Sequence, residues 1–168
     1  MKVSIINSIA VTVVTILLFN QCSILEGTPR ESNTTEMIEQ LCGTWNFVEM
    51  RDYKGRKIDS YQESFGRVKA TGPQIILSED MSYQKVFFAN RSDTGFWRFD
   101  IKTMTIHYQL FIDSTTWVGK DLIEKGLAQK LSDGNYYEEI KEQVKELKDS
   151  TMILQKRGGQ YVYQKESR

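Results

Sequence analysis

The chain has 168 residues with 22 basic and 22 acidic side chains, hence zero formal net charge. That length suits one domain, because a body of roughly 150 residues buries about 68–70% of its unfolded surface without staples. Charges of both signs are scattered rather than blocked, which argues against nucleic-acid binding. Two cysteines, Cys22 and Cys42, cannot build a disulfide framework, and no Cys/His cluster has metal-ligand spacing, so neither a metal nor a cofactor is expected.

Lys2 precedes an apolar stretch from Val3 to Phe19, broken only by small polar residues, and Asn20, Gln21 and Cys22 follow. Residues 1–21 therefore read as an export signal. The stretch is short for a permanent span, which needs about 20 apolar residues. A cysteine directly after the apolar run resembles the lipobox of bacterial lipoproteins: Leu17 and Leu18 fit, while Phe19, Asn20 and Gln21 replace the usual leucine and small residues. The resemblance implies lipidation of Cys22 and a chain held at the bacterial envelope membrane, facing the periplasm or the cell surface. A cleaved soluble form and an uncleaved anchoring helix are the alternatives. Residues 22–36 carry Gly27, Pro29, Ser32, Asn33 and three threonines with little apolar content, so they predict a flexible tether, and 37–168 the folded domain.

Met37 to Gln40 reads as a helical turn leading into the first strand. From Leu41 onward apolar residues recur with a period near two, in short runs separated by Gly, Asp, Asn and Ser, the pattern of antiparallel strands. Trp45 and Phe47 mark the first run, Pro73 to Ser78 the second and Tyr83 to Phe88 the third. Thr94 to Ile101 and Met104 to Ile112 form a predicted hairpin. Val118 to Leu131 spaces Leu122, Ile123, Leu127 and Leu131 as a helix does, and predicts a short helical insertion. Tyr136 to Leu147 is ambiguous, since Tyr137, Ile140, Val144 and Leu147 suit a helical face while the alternating charges suit a strand from about Glu139. Thr151 to Lys156 and Gln160 to Gln164 flank Gly158-Gly159, a strong hairpin signal.

Leu41-Cys42-Gly43-Thr44-Trp45 resembles the Gly-x-Trp opening of lipocalins, in the form used by lipocalin-like domains of bacterial envelope proteins. Ile75 to Tyr83 resembles that family's second strand and turn, with Met81 where glycine is common. Gly95-Phe96-Trp97-Arg98-Phe99 resembles its Gly-x-Trp strand, and Val144 to Leu154 its late hairpin. The resemblance covers most of Leu41 to Lys165 in order. It implies an all-β fold, a small antiparallel lipocalin-like barrel of about eight strands with the short helix inserted. Gly43 and Trp45 would form the base of the barrel, Gly43 letting the chain pass close to the indole. A basic residue is expected over that ring, with Arg157 and Arg98 as candidates.

Alternation points Phe47, Leu77, Tyr83, Phe87, Trp97, Phe99 and Tyr108 inward, and these are the candidate ligand-binding residues. A barrel of this size either fills with side chains or holds one small ligand. The first reading is a binding module for a small apolar or amphipathic ligand. The alternative is a packed barrel acting as an envelope structural or interaction module, with the Trp117 to Leu131 insertion meeting another envelope protein. No enzyme is expected: His107, the single histidine, has no partner in sequence and reads as solvated, and the nucleotide-binding and hydrolase motifs are missing. Cys42 reads as a buried, inert thiol.

Overall fold

The computed structural model describes residues 29–87 and 91–167. The expected export signal and Cys22 lie outside them. Chain contacts divide the protein after Glu36, and the unit Met37–Arg168 carries the sheet.

Helix α1, Pro29–Leu41, is longer than the single turn expected and takes up residues 29–36 of the predicted tether. It opens on proline, whose missing N–H costs nothing at a helix start. Strand β1, Gly43–Arg51, begins one residue after the helix ends. Three short strands follow, β2 (Lys57–Ile58), β3 (Ser60–Glu63) and β4 (Gly66–Lys69), which no alternation in the sequence announced. Then come β5 (Gln74–Leu77), β6 (Ser82–Val86), β7 (Ser92–Asp100) and β8 (Thr105–Ile112).

Helix α2, Trp117–Glu124, is capped by Thr116, whose side chain accepts a hydrogen bond from the Gly119 backbone N–H. The helix expected to reach Leu131 stops early. Lys125 and Gly126 end it, Gly126 at φ +67°, and Ala128–Lys130 forms β9 instead, paired with β10. The ambiguous segment is a strand throughout, β10 (Tyr136–Lys148), followed by β11 (Thr151–Lys156) and β12 (Gly159–Lys165).

Each strand of the ring β1-β5-β6-β7-β8-β10-β11-β12 pairs antiparallel with the next, and β12 returns to β1 with Trp45 opposite Lys165. Eight strands thus close on themselves in up-and-down order. Closure leaves no free edge in the ring. Short β2 lies beside β1, and β3 pairs β4 as a separate hairpin.

Two ends follow from the strand directions. At the base, β1 starts and β12 finishes, and Leu41 at the end of α1 is fully buried among core residues. At the other end, the mouth, β5 starts, β6 finishes, β7 starts, and the β11–β12 turn lies. Between the two ends Trp45, Ile75, Leu77, Ile106, Tyr108, Met152, Leu154 and Tyr163 build one continuous core.

Candidate functional site

The base is a plug of packed side chains. Trp45 has no solvent exposure, and its Nε1 donates to the Leu41 carbonyl at 2.7 Å, so the indole is anchored to the helix end as well as buried. The basic residue over this ring is Lys165 rather than Arg157 or Arg98. Its ammonium lies 5.4 Å from the indole centroid and donates to the Gln40 carbonyl at 2.7 Å. Register explains the choice, because Lys165 is the direct cross-strand partner of Trp45. Gly43, at φ +135°, makes room for the stem of this lysine rather than for the indole: a Cβ there would stand 2.6 Å from Lys165 Cε.

The middle of the barrel is filled by the predicted inward residues. Leu77, Tyr83, Trp97 and Tyr108 are buried. Tyr83 and Tyr108 meet edge to face at 4.8 Å, and Trp97 Nε1 donates to the Ser78 carbonyl at 3.1 Å. Phe47 and Phe99 are partly buried and pack on this core, Phe47 lying edge-on to Tyr161 and Tyr163 at 5.4 and 5.9 Å. Tyr83 thus packs on Tyr108 and Phe47 on Tyr161 and Tyr163 within or against one core cluster.

The mouth is different. A pocket of about 360 Å3 opens there, near the lower end of the range for ligand sites. Gly72 and Pro73 of the strap entering β5, Phe87, Ile140 and Tyr161 give it apolar walls, and Lys85, Asp93, Glu142 and Lys156 give it charge. Phe87, 37% exposed, is the one predicted ligand-binding residue among its lining. Gly72 is required by close approach, since a Cβ would stand 2.4 Å from the Phe47 ring.

Lys85 and Glu142 are each only 6% exposed. Glu142 Oε1 accepts from Lys85 Nζ at 2.8 Å and from Lys156 Nζ. The Lys85 ammonium also sits 3.6 Å above the Tyr108 ring, a cation–π contact in a desolvated place. Burial pushes the Glu142 carboxyl upward, but the two ammonium groups outweigh it and hold its pKa below the ordinary value. Burial likewise pulls the Lys85 ammonium down, against the attraction of Glu142. Burial and the nearby Glu142 charge keep the Tyr108 and Tyr163 phenols protonated far past their usual range.

Three polar atoms in this region are buried without a well-aligned hydrogen bond, Glu142 Oε2, Tyr108 OH and Tyr163 OH, although the Tyr108 phenol lies against the Glu142 carboxyl. Each such group costs on the order of 1–3 kcal/mol when left unsatisfied.

Sequence reasoning missed Lys85, Glu142 and Lys156, because a charge within an alternating run reads as solvent-facing. A signal was there. Lys85 shares parity with Tyr83, Glu142 lies midway between Ile140 and Val144, and Lys156 follows Met152 and Leu154 at steps of two, so all three stand on the apolar face.

Elsewhere the polar clusters are of other kinds. His107 is buried on the outer face rather than solvated, since Glu139 on β10 and Arg98 on β7 reach its Nδ1 at 2.9 and 3.0 Å. Cys42 is buried. It borders a hollow of 570 Å3 at the base, shared with Ile38, Glu39, Glu79 and Lys165 and therefore largely polar in its walls. Among the described residues no group of three or more His, Cys, Asp or Glu could hold a metal ion, and no helix is long and apolar enough to cross a membrane.

An eight-stranded up-and-down barrel with a tryptophan-plugged base and a pocket at its mouth is a lipocalin-like fold. Two solved structures are similar to this chain. One is a lipocalin-like protein from Bacteroides uniformis, at 16% identity and TM-score 0.42, covering 76% of this chain and 99% of its own. The other is an uncharacterized protein from Bacteroides eggerthii, at 16% identity and TM-score 0.44, covering 74% of this chain and 98% of its own. No family profile and no curated protein matches the sequence.

Proposed function

We propose that this protein is an exported lipocalin-like binding protein, lipid-anchored through Cys22, that takes a small amphipathic ligand at the barrel mouth and has no catalytic activity of its own. The observation that carries the reading is the mouth pocket itself, with apolar walls and the Lys85, Glu142 and Lys156 side chains among its lining. The filled middle of the barrel moves the site outward from the deep interior, so the ligand is shallow and small.

The test is a titration with an environment-sensitive apolar dye. Fluorescence should rise on binding, and Phe87→Ser, at the pocket wall, should weaken the binding, whereas Phe65→Ala, at the 83% exposed tip of the β3–β4 hairpin, should not. Equal binding by parent and Phe87→Ser would remove the mouth as the site.

A second reading, an interaction module using the Trp117–Leu131 insertion, is favoured by one observation. Trp117 is 81% exposed, and Leu127 of the same insertion 53%, an unusual cost for a monomer's surface. A photo-crosslinker at position 117 that captures a single envelope protein, lost on Val118→Asp, would support it; capture of none would end it.

A further inference from the structure

The two ends of the barrel differ in what their connections expose. Outside the strands, the most exposed large apolar side chains among the described residues are Tyr53, Phe65, Phe87, Trp117, Val118 and Leu127. All six lie at the mouth end, in the connections that join β1 to β5, β6 to β7 and β8 to β10, and none lies in the base-end connections β5–β6, β7–β8 and β10–β11. Charge follows the same division. The mouth-end connections, with the β11–β12 turn, carry ten Lys and Arg against seven Asp and Glu, and the base-end ones a single lysine against three acids. The exposed rings are also held in place. Only Gly119 of α2 is buried, where a Cβ would stand 2.0 Å from the Asp113 carbonyl oxygen, so the helix is pinned to the end of β8 at that point and leaves Trp117 and Val118 bare. The Tyr53 hydroxyl accepts from the Gly158 N–H of the β11–β12 turn at 3.0 Å.

Resting on the reading of an exported, anchored barrel, we propose that the mouth end lies against an anionic phospholipid bilayer, with Tyr53, Phe65 and Trp117 entering the headgroup region and the lysines and arginines around them facing lipid phosphates. Tyr and Trp rings, apolar with one polar edge, settle at that depth, and basic side chains beside them are drawn to an anionic surface. A protein partner would call for one contiguous complementary face. These rings come instead from separate connections, an arrangement that a fluid surface accommodates because each ring can insert on its own. The contact orients the barrel rather than holding it, since even one acyl chain gives only marginal membrane binding. The mouth pocket then opens onto the bilayer.

The protein carries its own reporter, because Trp45 and Trp97 are buried and Trp117 is the exposed tryptophan of the three. The lipidated parent is reconstituted into vesicles of equal parts phosphatidylcholine and phosphatidylglycerol whose acyl chains carry bromine, a short-range quencher, near the headgroup. Bromine should remove at least about half of the acrylamide-accessible emission, and about half as much in vesicles of phosphatidylcholine alone. Phe65→Ala and the pair Lys54→Glu with Lys120→Glu should each lower the quenching about twofold, and Phe65→Ala should do so with dye binding in solution unchanged. Lys102→Trp combined with Trp117→Phe moves the reporter to the base and should be quenched about fivefold less; equal quenching at both ends would mean that the barrel has no preferred orientation and would overturn the proposal. A parent that sediments with the vesicles while Trp117 stays unquenched overturns the mouth contact and leaves the anchor standing, and capture of a single envelope protein from position 117 would then replace it. A parent that does not sediment overturns the anchor and the mouth contact together.

Discussion

Lys85, Glu142 and Lys156 pose an energetic question that packing alone does not answer. Bringing charged groups out of water costs several kcal/mol per ion, and a buried ion pair commonly does no better than apolar residues of the same volume. Breaking one is another matter. Lys85→Met leaves Glu142 held only by Lys156, whose side chain still reaches solvent, and should lose about 3 kcal/mol of stability in urea unfolding. Adding Glu142→Met removes the stranded charge and should restore most of that loss while abolishing mouth binding. A double variant no more stable than the single would mean that the pair itself stabilises the fold. The site residues were hard to read in the sequence for the same physical reason. Aromatic residues at alternate positions announce the core, and Tyr83, Trp97 and Tyr108 are there, but a charge on the apolar parity is informative only once the partner across the barrel is known, and Lys85 and Glu142 are 57 residues apart.

Strands carry constraints that individual residues do not show. Gly95 of β7, at φ +156°, passes so close to β8 that a Cβ would stand 1.9 Å from the Gln109 carbonyl oxygen. Gly95→Ala must therefore push two paired strands apart, and should cost about 2 kcal/mol or more, overpacking alone being worth roughly 1–3 kcal/mol. An unchanged thermal midpoint would mean that the β7–β8 pairing is looser than the register implies. The same scale explains why Tyr136 to Leu147 resembled a helix. A bulge between Val144 and Glu146 inserts one residue, so Val144 and Leu147 both face Leu154 and Met152 although three positions apart, and their spacing imitates a helical turn. Tyr137 faces outward against Phe96 and Phe111, which completes the imitation. The opposite face of β10 has its own titration. Hydrogen bonds from His107 and Lys141 hold Glu139 at a pKa of about 2, below its ordinary 4.5. A carboxyl depressed in the folded state contributes stability that is present above the unfolded value and lost as pH falls through the folded one. The midpoint advantage of the parent over Glu139→Gln should thus be full above pH 4.5 and fade toward pH 2. A difference that stays constant across that window would show that the cluster contributes nothing through ionisation. Because Glu139 is exposed, the effect is small and should shrink further in high salt.

At the scale of the whole molecule, barrel and N-terminus answer to different physics. The barrel closes because first and last strands meet, a long-range pairing that alternation and the ordered Gly-x-Trp segments made legible; the hairpin β3–β4 and strand β9 are too short and too polar to show a period. The N-terminus is legible only as composition: a basic residue, an apolar run too short to be a comfortable span, and a cysteine directly after it. Attachment through Cys22 makes a sharp demand, since one acyl chain gives only marginal membrane binding and stable anchoring takes two signals, which a diacylated cysteine supplies together. A mouth that binds small amphipathic molecules would then work at the membrane surface where such molecules collect. Cys22→Ser should therefore release the protein from the membrane fraction, and the mass of the parent should exceed that of its peptide by the lipid that the variant lacks. The barrel should be indifferent to the change, with dye binding and thermal midpoint as in the parent, because the sheet belongs to the unit Met37–Arg168. If the Cys22→Ser protein still sediments with membranes at an unchanged mass, the uncleaved apolar helix is the anchor; if parent and variant are both soluble, the chain is exported without one.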